Sequence, residues 1–179
     1  MKKYLYMIAA LFGIDYFCKE NIEAQKPEDF PRDMEKSHGK IRLYRNHNDG
    51  FCFGVKKEKK ELVRMVPVVF TSAAAGILTW LLCRDEGRKA DRIGFALITA
   101  GGLSNLYDRL KRGYVVDYFS IRCKYLEKIV FNLGDFFIFA GSALIAASDL
   151  LGAVRDLSSP VEDHIKALRL PWRKTDEAE

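Results

Sequence analysis

Two segments of this 179-residue chain place an amide and a carboxylate in the same spacing, Asn-x-x-Asp, within largely apolar sequence. The first pairs Asn105 with Asp108, and the second pairs Asn132 with Asp135. Residues three apart share one face of a helix, so helices here would place each amide beside its carboxylate. Another acid, Asp117, lies between the two segments. Clustered carboxylates of this kind suit general acid–base chemistry.

The chemistry that such acids support is hydrolysis by two carboxyl groups that share one proton. The ionised carboxylate takes a proton from water, and the protonated one polarises the scissile carbonyl. We identify Asp117 and Asp135 as this pair. They are too distant in sequence to share one helix face. The prediction therefore requires that the third and fourth membrane spans of the chain are neighbours and that both acids lie near one membrane surface.

The other polar residues of the two segments are interpreted as supporting groups. An ion pair between Asp108 and Arg109 is predicted to position Asn105, and Asn132 is predicted to orient Asp135 or a substrate carbonyl. The cluster contains neither His nor Cys, which argues against zinc, whereas a hard cation stays open as an alternative. No cofactor is expected.

The surrounding sequence indicates a membrane. Residues 131–154 are almost uninterrupted apolar sequence, and about two dozen such residues span a bilayer core. A carboxylate in such a span costs at least roughly 2.5 to 3.5 kcal/mol on insertion scales, so Asp135 is a functional candidate, the alternative being an acid that only reaches the interface. The sequence predicts an all-α membrane protein with four transmembrane helices, at about residues 4–20, 62–83, 93–108 and 131–154.

The segments between and after these spans carry the remaining predicted structure. Residues 21–61 are predicted to form a small β-rich cradle outside the bilayer, with a hairpin whose bend holds Asn48 and Gly50 and whose second strand holds Phe53. Residues 118–130 mix apolar and basic side chains, as an interfacial amphipathic segment does. Residues 155–179 are predicted to be a polar cytoplasmic tail.

Charge and cysteine content limit the possible partners. The net charge is +5 and the pI is near 9.0, but Lys and Arg flank the apolar runs, which favours contact with lipid head groups and argues against nucleic acid. The four cysteines show no zinc spacing, and a bridge between Cys18 and Cys52 stays open. Asp15 and Lys19 stand four residues apart near the end of the first span, a spacing that permits an ion pair.

Taken in order, these motifs resemble those of bacterial lipoprotein signal peptidases, the type II signal peptidases. The similarity covers roughly residues 14–141. It rests on Asn48-Asp49-Gly50-Phe51-Cys52-Phe53-Gly54, Gly101-Gly102 through Asn105-Leu106-Tyr107-Asp108-Arg109, Val115-Val116-Asp117-Tyr118, and Phe131-Asn132-Leu133-Gly134-Asp135.

The resemblance implies a four-span aspartic endopeptidase of the bacterial cytoplasmic membrane, with its active site toward the extracytoplasmic face. Such an enzyme cleaves a diacylglyceryl-modified prolipoprotein just before the lipidated cysteine, works among membrane lipids, and is a target of the cyclic peptide globomycin; we expect a monomer. The catalytic pair would be Asp117 and Asp135. The supporting and substrate-binding residues would be Asp15, Lys19, Asn48, Gly50, Phe53, Asn105, Asp108, Arg109 and Asn132.

The chain departs from the family pattern in several places. Ser104 and Gly134 stand where the family usually has Gly and Ala, Tyr16 where Gln commonly follows the first acid, and Phe51-Cys52 where two small residues are usual. None of these changes removes a proposed catalytic group. The bulk of Phe51 and Cys52 bears on how the cradle fits a lipidated peptide.

Two other interpretations compete with this one. The YD pair at Tyr107-Asp108 and the Leu133-Gly134-Asp135 sequence echo the YD and GxGD motifs of presenilin-like proteases, although Asn132 occupies the first Gly position. The second alternative is a catalytically inactive relative or a small membrane carrier, in which the acids bind a cation or a proton. Dependence of cleavage on the precursor's lipid separates these alternatives from the main prediction.

Overall fold

The computed structural model of the chain describes residues 1–50, 60–84 and 87–168, with side chains over 1–50, 65–84 and 87–157. Within these ranges, four long helices and three short strands alternate with turns. In chain order they are α1 (Lys2–Glu23), β1 (Arg32–Asp33), β2 (Ile41–Asn48), α2 (Lys60–Cys83), α3 (Lys89–Lys111), β3 (Val115–Ile121) and α4 (Leu133–Leu168), with one turn of 3-10 helix at Pro27–Asp29 before β1.

Helix α3 is the centre of the bundle, because it packs against each of the other three helices. Its contact with α4 is the closest, since glycines let the two backbones touch. A Cβ atom on Gly101 would lie 2.1 Å from the Gly134 carbonyl oxygen, and one on Gly141 would lie 2.5 Å from the Gly94 oxygen. The small residues of the third predicted span therefore bring α3 and α4 together, and the third and fourth predicted spans are neighbours as expected.

The three strands form an antiparallel sheet in the order β1-β2-β3. Strand β2 pairs with β3 so that Asn46 lies opposite Asp117 and Asn48 opposite Val115. The prediction of an interfacial segment at residues 118–130 is wrong at its start, because residues 118–121 are part of β3, where Tyr118 and Ser120 are buried. The first strand of the predicted hairpin is confirmed, whereas its second strand and Phe53 lie outside the described residues.

Two helices contain stretches long and apolar enough to cross a membrane, Met65–Cys83 in α2 and Leu133–Leu157 in α4. Few residues of these stretches are buried within the protein, so their apolar side chains face outward. Buried polar groups interrupt α1 and α3, and membrane crossing by these two helices stays a prediction. Helix α4 continues to Leu168, so the first part of the predicted polar tail is helical and only 169–179 lie outside the described residues.

Two apolar clusters hold these elements together. One joins α1, α2 and α3 through Tyr4, Leu78 and Ala96. The other joins the end of α1 to the sheet through Ile22, Val116 and Tyr118. Cys18 packs against this second cluster as a half-buried free thiol, and Cys52 lies outside the described residues.

Candidate active site

Asp117 lies on strand β3, so the expectation that transmembrane helices supply both acids is wrong for this residue. Its carboxylate is buried and accepts two amide hydrogen bonds. Asn48 Nδ2, at the end of β2, donates to Oδ2 at 3.0 Å, and Asn132 Nδ2 donates to Oδ1 at 2.8 Å. The sheet therefore places this acid, because neighbouring antiparallel strands carry Asn48 and Asp117 at nearly the same level.

Asp135 lies in the first turn of α4, and Asn132 is the residue that precedes the helix. The Asp135 N–H donates to Asn132 Oδ1 at 2.8 Å, while the Asn132 N–H donates to Asp135 Oδ2 at 3.3 Å. This reciprocal pair is a capping box, which satisfies backbone donors at the start of a helix. The expected shared helix face is therefore wrong for this pair, and the spacing instead reflects a helix cap.

The same asparagine connects the two acids. Asn132 uses its side-chain oxygen for the helix cap and its side-chain N–H for Asp117. Asp135 receives a further hydrogen bond on Oδ1 from Asn105 Nδ2, at 2.7 Å, which is donated from α3. Three asparagines from three different elements thus hold the two carboxyl groups.

Both acids line one small cavity of about 10 Å³, which is near the lower limit for a single water molecule. The cavity is lined by Asn48, Asp117, Ile129, Val130, Phe131, Asp135 and Phe139. Burial, together with the nearby charge of Asp135, raises the pKa of Asp117 to about 7. Asp117 lies on a strand outside the membrane-spanning stretches, and its raised pKa favours the protonated carboxyl group.

A buried ionic cluster lies on the other side of Asn105. Lys19 in α1 is fully buried, and its Nζ lies 2.9 Å from Asp15 Oδ2 and 3.1 Å from Asp108 Oδ2. The predicted ion pair between Asp15 and Lys19 is therefore confirmed. Lys19 Nζ also donates to Ser104 Oγ at 3.2 Å and to Asn105 Oδ1 at 3.0 Å.

Lys19 determines which end of Asn105 faces the acid. The Lys19 ammonium group can only donate hydrogen bonds, so it donates to the amide oxygen of Asn105. The amide N–H of Asn105 is therefore oriented to donate to Asp135. The positive charge is then one contact away from the Asp135 carboxylate.

The predicted ion pair between Asp108 and Arg109 is replaced by other contacts. Asp108 binds Lys19, and its Oδ1 lies 3.1 Å from Arg112 Nε. Asp108 Oδ2 also accepts the Val116 N–H at 3.2 Å, which joins α3 to the start of β3. Arg112 is four residues after Asp108 and so lies on the same helix face, whereas Arg109 points to a different side.

Arg109 instead contacts the turn after β2. Its Nη2 donates to the Gly50 carbonyl at 3.1 Å, and its Nη1 lies 3.4 Å from the Asn105 carbonyl. The Gly50 N–H donates to Asn48 Oδ1 at 3.0 Å. Since the oxygen of Asn48 is engaged in the turn, its N–H faces Asp117. The predicted residues Asn48, Gly50 and Arg109 therefore form one structure beside the acids.

Three residues of this network were not among the predicted site residues. Ser104 and Tyr118 donate hydrogen bonds to Asp15, at 2.6 and 2.9 Å, and Arg112 joins Asp108 to Glu20, whose Oε1 lies 2.6 Å from Arg112 Nη2. Ser104 and Tyr118 directly adjoin predicted site residues in sequence, which is the only signal that could have indicated them. Arg112 was detectable from its helical spacing to Asp108.

A larger apolar cavity of about 570 Å³ opens between α2, α3 and α4 and reaches Asn105, the residue that donates to Asp135. Asn105 and Arg109 provide polar groups in its wall. The remaining lining is almost entirely apolar or small: Val66, Pro67, Phe70, Thr71, Ala73, Ala74, Ile77, Phe95, Ile98, Gly102, Ile138 and Ser142. Across residues 1–50, 65–84 and 87–157, no group of three or more His, Cys, Asp or Glu side chains is arranged to hold a metal ion.

The chain is similar to known proteins over most of its length. Residues 7–151 match the family model described as signal peptidase (SPase) II. A lipoprotein signal peptidase of Mesorhizobium japonicum is 30% identical over 157 residues, which are 87% of this chain and 90% of that protein. One from Brucella ovis is 34% identical over 116 residues, which are 65% of this chain and 71% of that protein.

Two solved structures share the fold at low sequence identity. Both are bacterial membrane enzyme structures obtained by the in meso method, at 2.3 Å and 1.9 Å resolution. The first has a TM-score of 0.70 and 18% identity, and covers 100% of this chain and 96% of that chain. The second has a TM-score of 0.68 and 19% identity, and covers 84% of this chain and 94% of that chain.

Proposed function

Because the chain belongs to the signal peptidase II family, we propose that it is an aspartic endopeptidase that removes the signal peptide from prolipoproteins. The cut falls just before the lipidated cysteine of the precursor. The observation that carries the aspartic mechanism is the pair of buried acids, Asp117 and Asp135, which line one cavity and are joined by Asn132.

The surroundings of the two acids assign them different protonation states. Asp135 lies at the amino-terminal end of α4, where the helix dipole favours negative charge, and it receives the Asn105 amide that Lys19 orients. Burial and the nearby charge of Asp135 raise the pKa of Asp117 to about 7. In the mechanism that we propose, Asp117 carries the shared proton and Asp135 is the ionised base.

In the first step, water attacks the carbonyl carbon of the scissile peptide. The Asp135 carboxylate takes a proton from the water, and Asp117 gives its proton to the carbonyl oxygen. The product of this step is a tetrahedral diol. Asp135 is now protonated and Asp117 ionised.

In the second step, the diol collapses and the carbon–nitrogen bond breaks. Asp135 gives its proton to the leaving nitrogen, and Asp117 takes the proton of one diol hydroxyl. The carboxyl group of the signal peptide and the free amino group of the cysteine are formed. Both acids return to their starting states, so the pair turns over without a cofactor.

The large apolar cavity is evidence that the substrate has an apolar part. It lies between helices, borders Asn105 and Arg109, and has the volume typical of a ligand site. A signal peptide with a diacylglyceryl group supplies the matching apolar surface, and the polar residues at the edge of the cavity face the peptide bond. The Arg109 contact with Gly50 ties the turn after β2 to this edge.

The same proposal extends to location and partners. Four helices cross the bacterial cytoplasmic membrane, with the sheet and the acids toward the extracytoplasmic face. The enzyme acts as a monomer among membrane lipids, and globomycin inhibits it. The two long apolar helices and the outward apolar side chains support this location.

The test is cleavage by the purified protein in detergent micelles. A diacylglyceryl-modified precursor and its unmodified form are incubated with the enzyme, and the products are separated by mass. We expect cleavage of the modified precursor before the cysteine and none of the unmodified one. Cleavage that ignores the lipid would favour a different protease class, and the absence of cleavage would favour an inactive relative.

Substitutions at the acids test the mechanism in the same assay. Asp117→Asn and Asp135→Asn should each stop cleavage while the protein stays folded and abundant. Asp149→Asn is the matched control, because Asp149 lies on the same helix as Asp135 but is exposed and pairs with Arg88. Undiminished cleavage by either active-site variant would remove the acid pair from the mechanism.

A further inference from the structure

The carboxylate of Asp15 contacts three different elements of the site. Its Oδ1 accepts the Tyr118 hydroxyl at 2.9 Å and the Leu133 N–H at 3.1 Å, and its Oδ2 accepts the Ser104 hydroxyl at 2.6 Å. Lys19 neutralises the charge from 2.9 Å away. Asp15 is fully buried, so these contacts are sheltered from solvent.

Each of the three residues that donate to Asp15 from other elements is next in sequence either to a catalytic acid or to an asparagine that binds one. Tyr118 follows Asp117 on β3, and Ser104 precedes Asn105, the donor to Asp135. Leu133 follows Asn132, which binds both acids. One carboxylate therefore joins α3 and β3, through side-chain hydroxyls, to the backbone at the start of α4.

The Tyr118 hydroxyl lies at the junction of β3 and α4. It donates to Asp15 and accepts the Leu133 N–H at 3.1 Å. Successive side chains of a strand point to opposite faces, so Tyr118 reaches towards α1 while Asp117 faces the cavity. The backbone supports the same junction, because the Tyr118 N–H donates to the Phe131 carbonyl at 2.8 Å.

We propose that Tyr118 and Ser104 are positioning residues that act through Asp15 to set the separation of the two catalytic carboxyl groups. This inference rests on the proposed function. Neither hydroxyl touches either acid, so the effect passes through the backbone of β3 and α3. Catalysis is sensitive to such placement, since a shift of about 1 Å can cost roughly 10²-fold in rate.

The first test compares Tyr118→Phe with Tyr125→Phe. Both variants lose one phenolic hydroxyl, but Tyr125 is 81% exposed in the turn after β3. We expect kcat to fall by about 10-fold in Tyr118→Phe with KM unchanged, because the substrate cavity is intact while the acids are displaced. Tyr125→Phe should match the wild type.

The second test removes the other hydroxyl and then both. Ser104→Ala should also lower kcat without a change in KM. The double variant should lose less than the product of the two single effects, because both hydroxyls act through one carboxylate. Ser104→Ala also serves if Tyr118→Phe fails to fold. Thermal denaturation of each variant separates a change in kcat from a loss of folded enzyme.

The outcomes distinguish this inference from the proposed function. If the wild type and Tyr125→Phe cleave while Tyr118→Phe and Ser104→Ala keep the wild-type kcat, positioning is overturned and the peptidase stands. A fall in Tm with unchanged kcat per folded molecule also overturns it, because the hydroxyls would then only stabilise the fold. If the wild type does not cleave the lipidated precursor, the proposed function fails and this inference falls with it.

Discussion

The two Asn-x-x-Asp segments have the same spacing but different structures and different neighbours. Asn105 and Asp108 lie inside α3, where one side chain faces the acid pair and the other faces a buried ion cluster. Asn132 and Asp135 form a capping box at the start of α4. The first segment thus supports the candidate site from inside α3, whereas the second segment forms part of that site at the start of α4.

This difference indicates that Asp108 stabilises the fold, whereas Asp117 and Asp135 are the acids proposed for catalysis. Asp108 is surrounded by cations and backbone donors, so its charge is compensated. Asp117 and Asp135 receive amide donors and line one small cavity, whose volume is near the lower limit for a single water molecule. Substitutions can test whether the two sets of acids have these separate roles.

The largest effect is expected from a comparison of Asp135→Asn with Asp108→Asn. Loss of an acid–base group lowers the rate by roughly 10² to 10⁴-fold, so Asp135→Asn should stop processing and leave a folded protein. Asp108→Asn removes one of the two carboxylates that neutralise buried Lys19, which should destabilise the fold by about 3 to 5 kcal/mol. Cleavage assays and thermal denaturation of both variants measure this contrast, and it would be refuted if Asp108→Asn kept the wild-type Tm.

The next largest effect is expected in the pH dependence of the free energy of unfolding, to which Asp117 contributes. Its pKa is raised from 3.8 to about 7 by burial and by the charge of Asp135, so the folded protein binds this proton more tightly than the unfolded chain. The contribution to stability is therefore full below about pH 4 and is lost as the pH rises through about 7. The Asp117→Asn variant has no carboxyl proton to lose at this position. Its free energy of unfolding, relative to that of the wild type, should therefore rise by on the order of 3 kcal/mol between these pH values.

Melting curves of the wild type and Asp117→Asn between pH 4 and pH 8 measure this difference. Asp33→Asn is a suitable control, since Asp33 is about half exposed and pairs with Arg122 on the surface. A difference between Asp117→Asn and the wild type that stays constant with pH would contradict the raised pKa.

A smaller effect is expected where α3 and α4 touch at the level of the acids. Gly101→Ala would place a Cβ atom 2.1 Å from the Gly134 carbonyl oxygen, so the two helices must move apart. Such overpacking typically costs about 1 to 3 kcal/mol and should also lower the rate by displacing Asp135 from Asn105. Gly76→Ala is the matched control, because no atom lies within 4 Å of its added Cβ. Equal Tm values for the two variants would argue against this close contact.

The smallest effect is expected at the opposite end of the same helix pair. Arg88 contacts Asp91, the Ser148 carbonyl and Asp149, but these side chains are partly or largely exposed. Arg88→Gln should therefore leave the Tm close to that of the wild type and cleavage unchanged. A large loss of Tm would mean that the exposed end stabilises the bundle as much as the buried cluster does.

Several features of the site were predictable from local sequence. The spacing of Asp15 and Lys19 predicted their ion pair, because four residues form one helical turn. Apolar length predicted α2 and α4 as candidate spans. Other predictions depended on contacts between distant residues: Asp117 was expected on a helix and lies on β3, and Asp108 was expected beside Arg109 and binds Lys19 and Arg112.

The amino-acid sequence alone determined the long apolar helices, the residues proposed to carry the chemistry and the family to which the chain belongs, because these follow from composition, spacing and motif order. The tertiary structure decided which groups meet. Asn132 reaches Asp117 and Lys19 reaches Asn105 only after α1, α3, β3 and the start of α4 converge. A carboxylate acquires its proton and its role from the charges and donors around it, and folding brings those together from distant parts of the chain.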